Sequence, residues 1–166
     1  SGDGQRLSLT ESSNGIYYQN YKLSFTEPWL GGKKPTSLSV SLYKSISSNG
    51  QSDEQREAIE ITGLTNGLGK RLKYPDDYFT LYNGINFQQY KLINSQSFFS
   101  FRNGFSNNVN YNIKVGRNST DQIIFPRRGS NFSLSLKVTP PYSIFDGIDD
   151  YSSVSDQEKY SWIEYY

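Results

Sequence analysis

Asn108-Val109-Asn110-Tyr111-Asn112-Ile113-Lys114-Val115 places an apolar side chain at every odd position and an amide or a cation at every even one. A period of two sends alternate side chains to opposite sides of an extended chain. The stretch therefore reads as a strand with one greasy and one wet face. Outward from it, the pattern recurs. In Ser130–Thr139, Phe132, Leu134, Leu136 and Val138 alternate with Ser133, Ser135, Lys137 and Thr139. In Ser37–Tyr43, Leu38, Val40 and Leu42 alternate with Ser37, Ser39, Ser41 and Tyr43. Tyr17–Thr26 sets Tyr17, Gln19, Tyr21, Leu23 and Phe25 against Tyr18, Asn20, Lys22, Ser24 and Thr26. Gln5–Glu11 carries Leu7 and Leu9 in the same way, and Tyr78–Leu92 has Phe79, Leu81, Ile85 and Phe87 on one parity, interrupted by Asn83. Ala58–Leu72 opens with Ile59 and Ile61, then meets Gly63, Gly67 and Gly69, which predict a bulge or bend. Tyr160–Tyr166 reads as the start of an eighth strand.

Between these runs lie Asn14-Gly15, Pro28–Pro35, Asn49-Gly50, Pro75-Asp76-Asp77, Asn103-Gly104 and Pro140-Pro141, which are turn formers. Only Ser52–Ala58 and Ser155–Lys159 have room for a helical turn. The chain is thus predicted to be all-β and antiparallel, and two architectures fit: a soluble sandwich or a membrane barrel. The wet parity is mostly Ser and Asn, where a soluble sandwich collects Lys, Glu, Asp and Thr. Aromatics near strand ends (Tyr17, Phe25, Trp29, Tyr43, Phe79) resemble the girdles of an outer-membrane barrel.

Composition narrows the chemistry. The 166 residues suffice for one domain. Seventeen Lys and Arg against 16 Asp and Glu leave a net charge of +1, which gives no reason to expect a nucleic-acid partner. Hydrophobic residues are 34% of the chain and aromatics 16%, so the sequence is poor in aliphatic core. Without His or Cys there is no Ser-His-Asp triad, no Cys nucleophile, no thiolate or imidazole metal site and no disulfide. No run reaches the ~18–20 apolar residues of a spanning helix, a test that barrels escape because their greasy face is hidden in alternation. A chain that opens at Ser1 without Met is expected to be a processed product or a piece of something longer.

Tyr21-Lys22-Leu23-Ser24-Phe25-Thr26-Glu27-Pro28-Trp29-Leu30-Gly31-Gly32, running on to Leu42, resembles the BamA family of outer-membrane protein assembly factors of Gram-negative bacteria. In that family a strand ends in a Glu/Asn-Pro-Trp/Tyr-Leu/Phe element and turns into the next. Gly67–Phe79, with Pro75, Asp76 and Asp77, is similar to a periplasmic strand–turn–strand there. Asp121 followed by Phe125-Pro126-Arg127-Arg128-Gly129-Ser130 is similar to the hairpin that launches a later strand. The three elements, in order and spacing, cover nearly the whole chain.

The resemblance implies that residues 1–166 are part of one outer-membrane β-barrel domain, about seven strands plus a stub, without the family's periplasmic POTRA domains and remaining strands. It implies an integral protein of the bacterial outer membrane that folds and inserts other outer-membrane proteins. The partners it implies are the other strands of the barrel, further assembly-machinery subunits, unfolded outer-membrane protein substrates and membrane lipid, with no nucleic acid. It needs no bond chemistry, no catalytic residue, no metal and no cofactor. Turns at 28–36, 72–77 and 118–129 would face the periplasm, and loops at 12–15, 48–57, 93–107 and 141–158 the outside. Leu7, Leu9, Leu23, Phe25, Leu38, Val40, Leu42, Val109, Ile113, Leu134, Leu136 and Val138 would face lipid. Ser39, Ser41, Asn110, Asn112, Lys114, Ser133, Ser135 and Lys137 would face the lumen.

Other chemistry weighs less. Asp76-Asp77 reads as a polar turn rather than an acid/base pair. Asp146, Asp149, Asp150 and Asp156 do not keep the EF-hand spacing for calcium. Lys33-Lys34 and Arg127-Arg128 read as solvated turn charge, Asn118-Ser119-Thr120 is a sequon without meaning in a bacterium, and Arg128 is expected to pair with Asp121 or a loop carboxylate. A complete small outer-membrane barrel and a soluble carbohydrate-binding sandwich are the alternatives; a hydrolase is weakened by the missing His.

Overall fold

The computed structural model describes residues 4–32, 36–51, 55–95, 103–122, 124–141, 147, 150, 152–155 and 161. Its strands are β1 (Arg6–Asn14), β2 (Tyr18–Glu27), β3 (Thr36–Ser48), β4 (Ala58–Arg71), β5 (Phe79–Ile93), β6 (Gly104–Asn118) and β7 (Asn131–Val138), with a short 3-10 turn at Leu30–Gly32. They form a single seven-stranded sheet in chain order, each strand antiparallel to the last. The predicted all-β, antiparallel architecture is therefore the one observed. A sandwich would need a second sheet to cover the first, and the described residues form one sheet only.

Cross-strand register converts the seven alternations into two continuous faces. Leu9 pairs with Leu23, Leu23 with Leu42, Leu42 with Leu64, Leu64 with Phe87 and Phe87 with Val109. One row along, Leu7, Phe25, Val40, Asn66, Ile85, Tyr111 and Val138 are joined in the same way, and further on Leu38, Leu68, Asn83, Ile113 and Leu136. All these side chains share a face, because directly paired residues point the same way. Among the described residues no second layer packs on this greasy face: Leu9 is 77% exposed and Leu134 70%. Among the described hydrophobic residues only Ala58 and Leu92 are buried, so the sheet has no interior core of its own.

Several strands run beyond the alternating stretches. β1 continues to Asn14, β3 to Ser48, and β6 begins at Gly104, four residues before the alternation becomes visible. Backbone pairing requires no strict alternation of side chains, so a ladder persists where the pattern lapses. The expected bulge in β4 is absent: Ala58–Lys70 pairs one-to-one with β3 and Ala58–Arg71 with β5. Its greasy parity is the even one, through Leu64 and Leu68, which leaves Ile59 and Ile61 on the opposite face. Of the possible helical turn at Ser52–Ala58, residues 52–54 lie outside the described residues, Gln55 is in a 3-10 conformation and Ala58 already opens β4, while the turn at Ser155–Lys159 and the eighth strand at Tyr160–Tyr166 fall largely outside the described residues. At Ser161, which is described, the carbonyl accepts the Asn107 backbone N–H at 2.6 Å.

Candidate functional site

The glycines of β4 serve the wet face. At Gly63 a Cβ would lie 2.5 Å from Tyr43 Cε1, and at Gly67 it would lie 2.7 Å from Tyr82 Cε2 and Cζ. A Cβ on Gly84 would meet the same Tyr82 ring at 2.9 Å. The rings occupy the space above glycine backbone, so what these positions need is the missing side chain. Tyr43 thus belongs to the wet face and is not a girdle residue. Its hydroxyl accepts Gln88 Nε2 at 2.6 Å, and Gln88 Oε1 accepts Asn108 Nδ2 at 3.0 Å. Nearby, Thr65 donates to Asn86 Oδ1 at 2.8 Å, and Ser135 to Asn112 Oδ1 at 3.1 Å. Asn108 and Asn110 are buried on this face.

Apolar rows on the other face end in charge. Lys44 and Lys91 reach Glu60 Oε2 at 3.6 and 3.9 Å, beside the Gly50 end of the sheet. Toward the Pro75 end, Phe79 and Phe132 meet edge-to-face at 5.9 Å. Arg117 lies under both rings' row, its guanidinium 5.8 Å from the Phe79 centroid and 5.7 Å from that of Tyr78.

Arg117 ties two connections together. Its Nη2 and Nε hold Asp76 Oδ2 at 2.8 and 2.9 Å, and its Nη1 donates to Ser119 at 2.8 Å and to Ser130. The 72–78 turn is thereby pinned to the base of the 119–130 hairpin. Asp76 Oδ1 also accepts the Tyr78 N–H at 3.0 Å, closing its own turn. Partial burial pushes the Asp76 acid up, but the hydrogen bonds from Arg117 and Tyr78 and the Arg117 charge outweigh it and hold the carboxyl below its ordinary 3.8. A depressed carboxyl contributes stability above its unfolded pKa and loses it as pH falls through the folded one. Hydrogen exchange of the 72–78 amides is therefore expected to be slow at neutral pH and to gain an extra opening only below about pH 4, at the Asp76 titration. In Asp76→Asn that acid limb should vanish; its persistence would contradict the pairing.

The remaining turn residues close their own loops. Glu27 accepts Gln5 Nε2 at 2.5 Å and the Trp29 N–H at 3.2 Å, starting the turn through Pro28 and Leu30. Asp121 Oδ1 accepts the backbone N–H groups of Arg127 and Arg128 at 3.0 and 3.2 Å. Asp121 is thus bonded by the Arg128 backbone, and among the described residues the arginine in an ion pair with an aspartate is Arg117. Gly129, at φ 99°, has its α-carbon against the Ser119 and Thr120 backbone, where no Cβ fits. Phe125 stands at φ 56° before Pro126 and is 86% exposed at the hairpin tip. Asp77 and Arg127 are exposed, Pro75 follows a cis peptide bond, and Lys33-Lys34 lie outside the described residues.

The structure places Leu7, Leu9, Leu23, Phe25, Leu38, Val40, Leu42, Val109, Ile113, Leu134, Leu136 and Val138 on one face, and Ser39, Ser41, Asn110, Asn112, Lys114, Ser133, Ser135 and Lys137 on the other. Sequence reading missed Arg117, Tyr82 and Gln88. A signal was present in the alternate glycines of β4 and in the wet-parity tyrosines of the flanking strands. Of the acidic residues weighed for calcium, Asp150 is described and accepts the Ser152 N–H at 2.9 Å, while Asp146, Asp149 and Asp156 lie outside the described residues. No group of metal-ligating side chains occurs among the described residues.

Comparison with known proteins agrees with this geometry. The family described as the Omp85 superfamily domain matches residues 1–162. No curated protein matches the sequence. Among solved structures, the crystal structure of BamA from Haemophilus ducreyi lacking POTRA domains 1–3 superposes with a TM-score of 0.58 at 22% identity, over 84% of this chain and 29% of that one. The likeness is one of fold, and this chain spans less than a third of that relative.

Proposed function

The chain belongs to the Omp85 superfamily, and from that membership we propose that it forms part of the wall of an outer-membrane β-barrel that folds and inserts other outer-membrane proteins. The observation that carries the reading is the uncovered apolar face running through all seven strands, backed by a face of Ser, Gly, Asn and Gln. Water cannot cover such a face cheaply, and no second layer covers it among the described residues; a hydrocarbon solvent does. Leu23, Phe25, Leu38, Val40, Leu42, Val109, Ile113, Leu134, Leu136 and Val138 then face lipid, and the Tyr43–Gln88–Asn108 face lines the lumen.

In this reading the 28–35, 72–78 and 119–130 connections face the periplasm and the 49–57 and 94–103 connections the exterior. All backbone groups in hydrocarbon must be paired, so the outer edges of β1 and β7, which no described strand pairs, require the other strands of the same barrel. Further assembly subunits and unfolded outer-membrane proteins are the remaining partners, and the work is strand pairing and membrane insertion rather than bond chemistry. Depletion of the full-length protein tests the reading. Newly made barrel proteins should then accumulate unfolded in the periplasm, seen as loss of their heat-modifiable bands. Normal assembly of those proteins during depletion would overturn it.

A further inference from the structure

The two faces differ in charge as sharply as in polarity. On the greasy face Glu11, Glu27 and Glu60 offset Lys44, Lys70, Lys91 and Arg117. On the wet face the seven strands place Arg6, Lys22, Arg71, Lys114 and Lys137 and no Asp or Glu at all. Lys114 pairs with Ser135 and Lys137 with Asn112, which makes the two lysines diagonal neighbours across β6 and β7. Among the described residues no ion pair reaches Arg71 or Lys114, and both are exposed.

Arg71 and Lys114 border one cleft of about 430 Å³ at the Pro75 end, floored by Thr80, Gly116 and Ser133. Arg117, at its rim, is held by Asp76. From there the wet face continues across β3 and β4 through Ser37, Gly69 and Ser39, beside the Tyr82 ring that covers Gly67. The cations are spread over the face rather than converging on one point. A small anion would meet one or two of them, whereas an extended chain of carboxylates meets several.

We propose that the wet face is a docking track for an extended, carboxylate-bearing polypeptide segment, anchored at the cleft between Arg71 and Lys114. This rests on the luminal assignment of that face made above. A channel wall with cations of one sign concentrates anionic chains along it, and the attraction weakens with salt.

The test uses the full-length protein in phosphatidylcholine nanodiscs and a dye-labelled peptide of alternating serine and glutamate, read by fluorescence anisotropy. Binding is expected at low salt and should weaken about tenfold as salt rises to about 0.3 M. Arg71→Glu combined with Lys114→Glu should lower affinity by about tenfold or more, and the milder Arg71→Gln with Lys114→Gln by less, with heat-modifiable mobility confirming an intact barrel. Lys44→Gln with Lys91→Gln, on the greasy face, should leave binding unchanged. No binding by the parent protein, equal binding by the charge-reversed one, or displacement by inorganic phosphate at matched charge would each overturn the track. Ser135→Cys, probed with a water-soluble maleimide in the same discs, separates the two failures: labelling without peptide binding refutes the track alone, and absence of labelling refutes the luminal assignment beneath it.

Discussion

Leu136→Arg should cripple assembly of the full-length barrel while Ser135→Arg is tolerated. The two positions are adjacent in β7 and both exposed in the isolated sheet, so neither chain position nor burial distinguishes them. What differs is the face. Leu136 sits opposite Ile113 in the apolar rows, and Ser135 opposite Lys114 on the wet side. A guanidinium at the bilayer midplane on a barrel costs about 2–4 kcal/mol, a large share of a folded protein's margin, whereas one in a water-filled lumen costs little. The readout is the fraction of full-length protein with heat-modifiable mobility in the outer membrane, and the midpoint of urea unfolding in vesicles. Equal tolerance of the two substitutions would remove the basis for assigning the faces.

Gly67→Val is the second large effect expected. A Cβ there falls within 2.7 Å of two Tyr82 ring carbons and closer still to its hydroxyl, with no positive φ to complicate the substitution. The Tyr82 ring must lift from Gly67 and Gly84 together, uncovering the backbone of β4 and β5. Overpacking of this kind costs about 1–3 kcal/mol. The same valine in a Tyr82→Ala background should cost much less, since the space is then open, and the difference between the two backgrounds measures the ring–glycine contact. Additive effects would show that the ring does not depend on the glycine bed.

The contrast between these positions explains how far the sequence could be read. Alternation at Val109–Val115 and Phe132–Val138 reports directly on the side chains' surroundings, so strand number, order of faces and most of the apolar rows were legible. Strand ends were not, because Ser12, Ser13 and Asn14 stay in the ladder where neither face is greasy. Gly63 and Gly67 predicted a bulge, since glycine in a strand signals either irregular backbone or close approach. Only the register, which brings Tyr43 and Tyr82 over them, decides for close approach. Arg117 was hidden for a related reason: it occupies the greasy parity, and its partners Asp76, Ser119 and Ser130 come from two separate connections.

The most direct measurement is cysteine accessibility along β7. The described chain brings no cysteine of its own, so a single thiol can be placed at each of residues 132–138 in a full-length background free of others. In intact outer membranes, Ser133→Cys, Ser135→Cys and Lys137→Cys should react with a water-soluble maleimide, and Leu134→Cys, Leu136→Cys and Val138→Cys should not. Uniform labelling, or the reverse alternation, would contradict a membrane-spanning wall with its aliphatic rows in lipid.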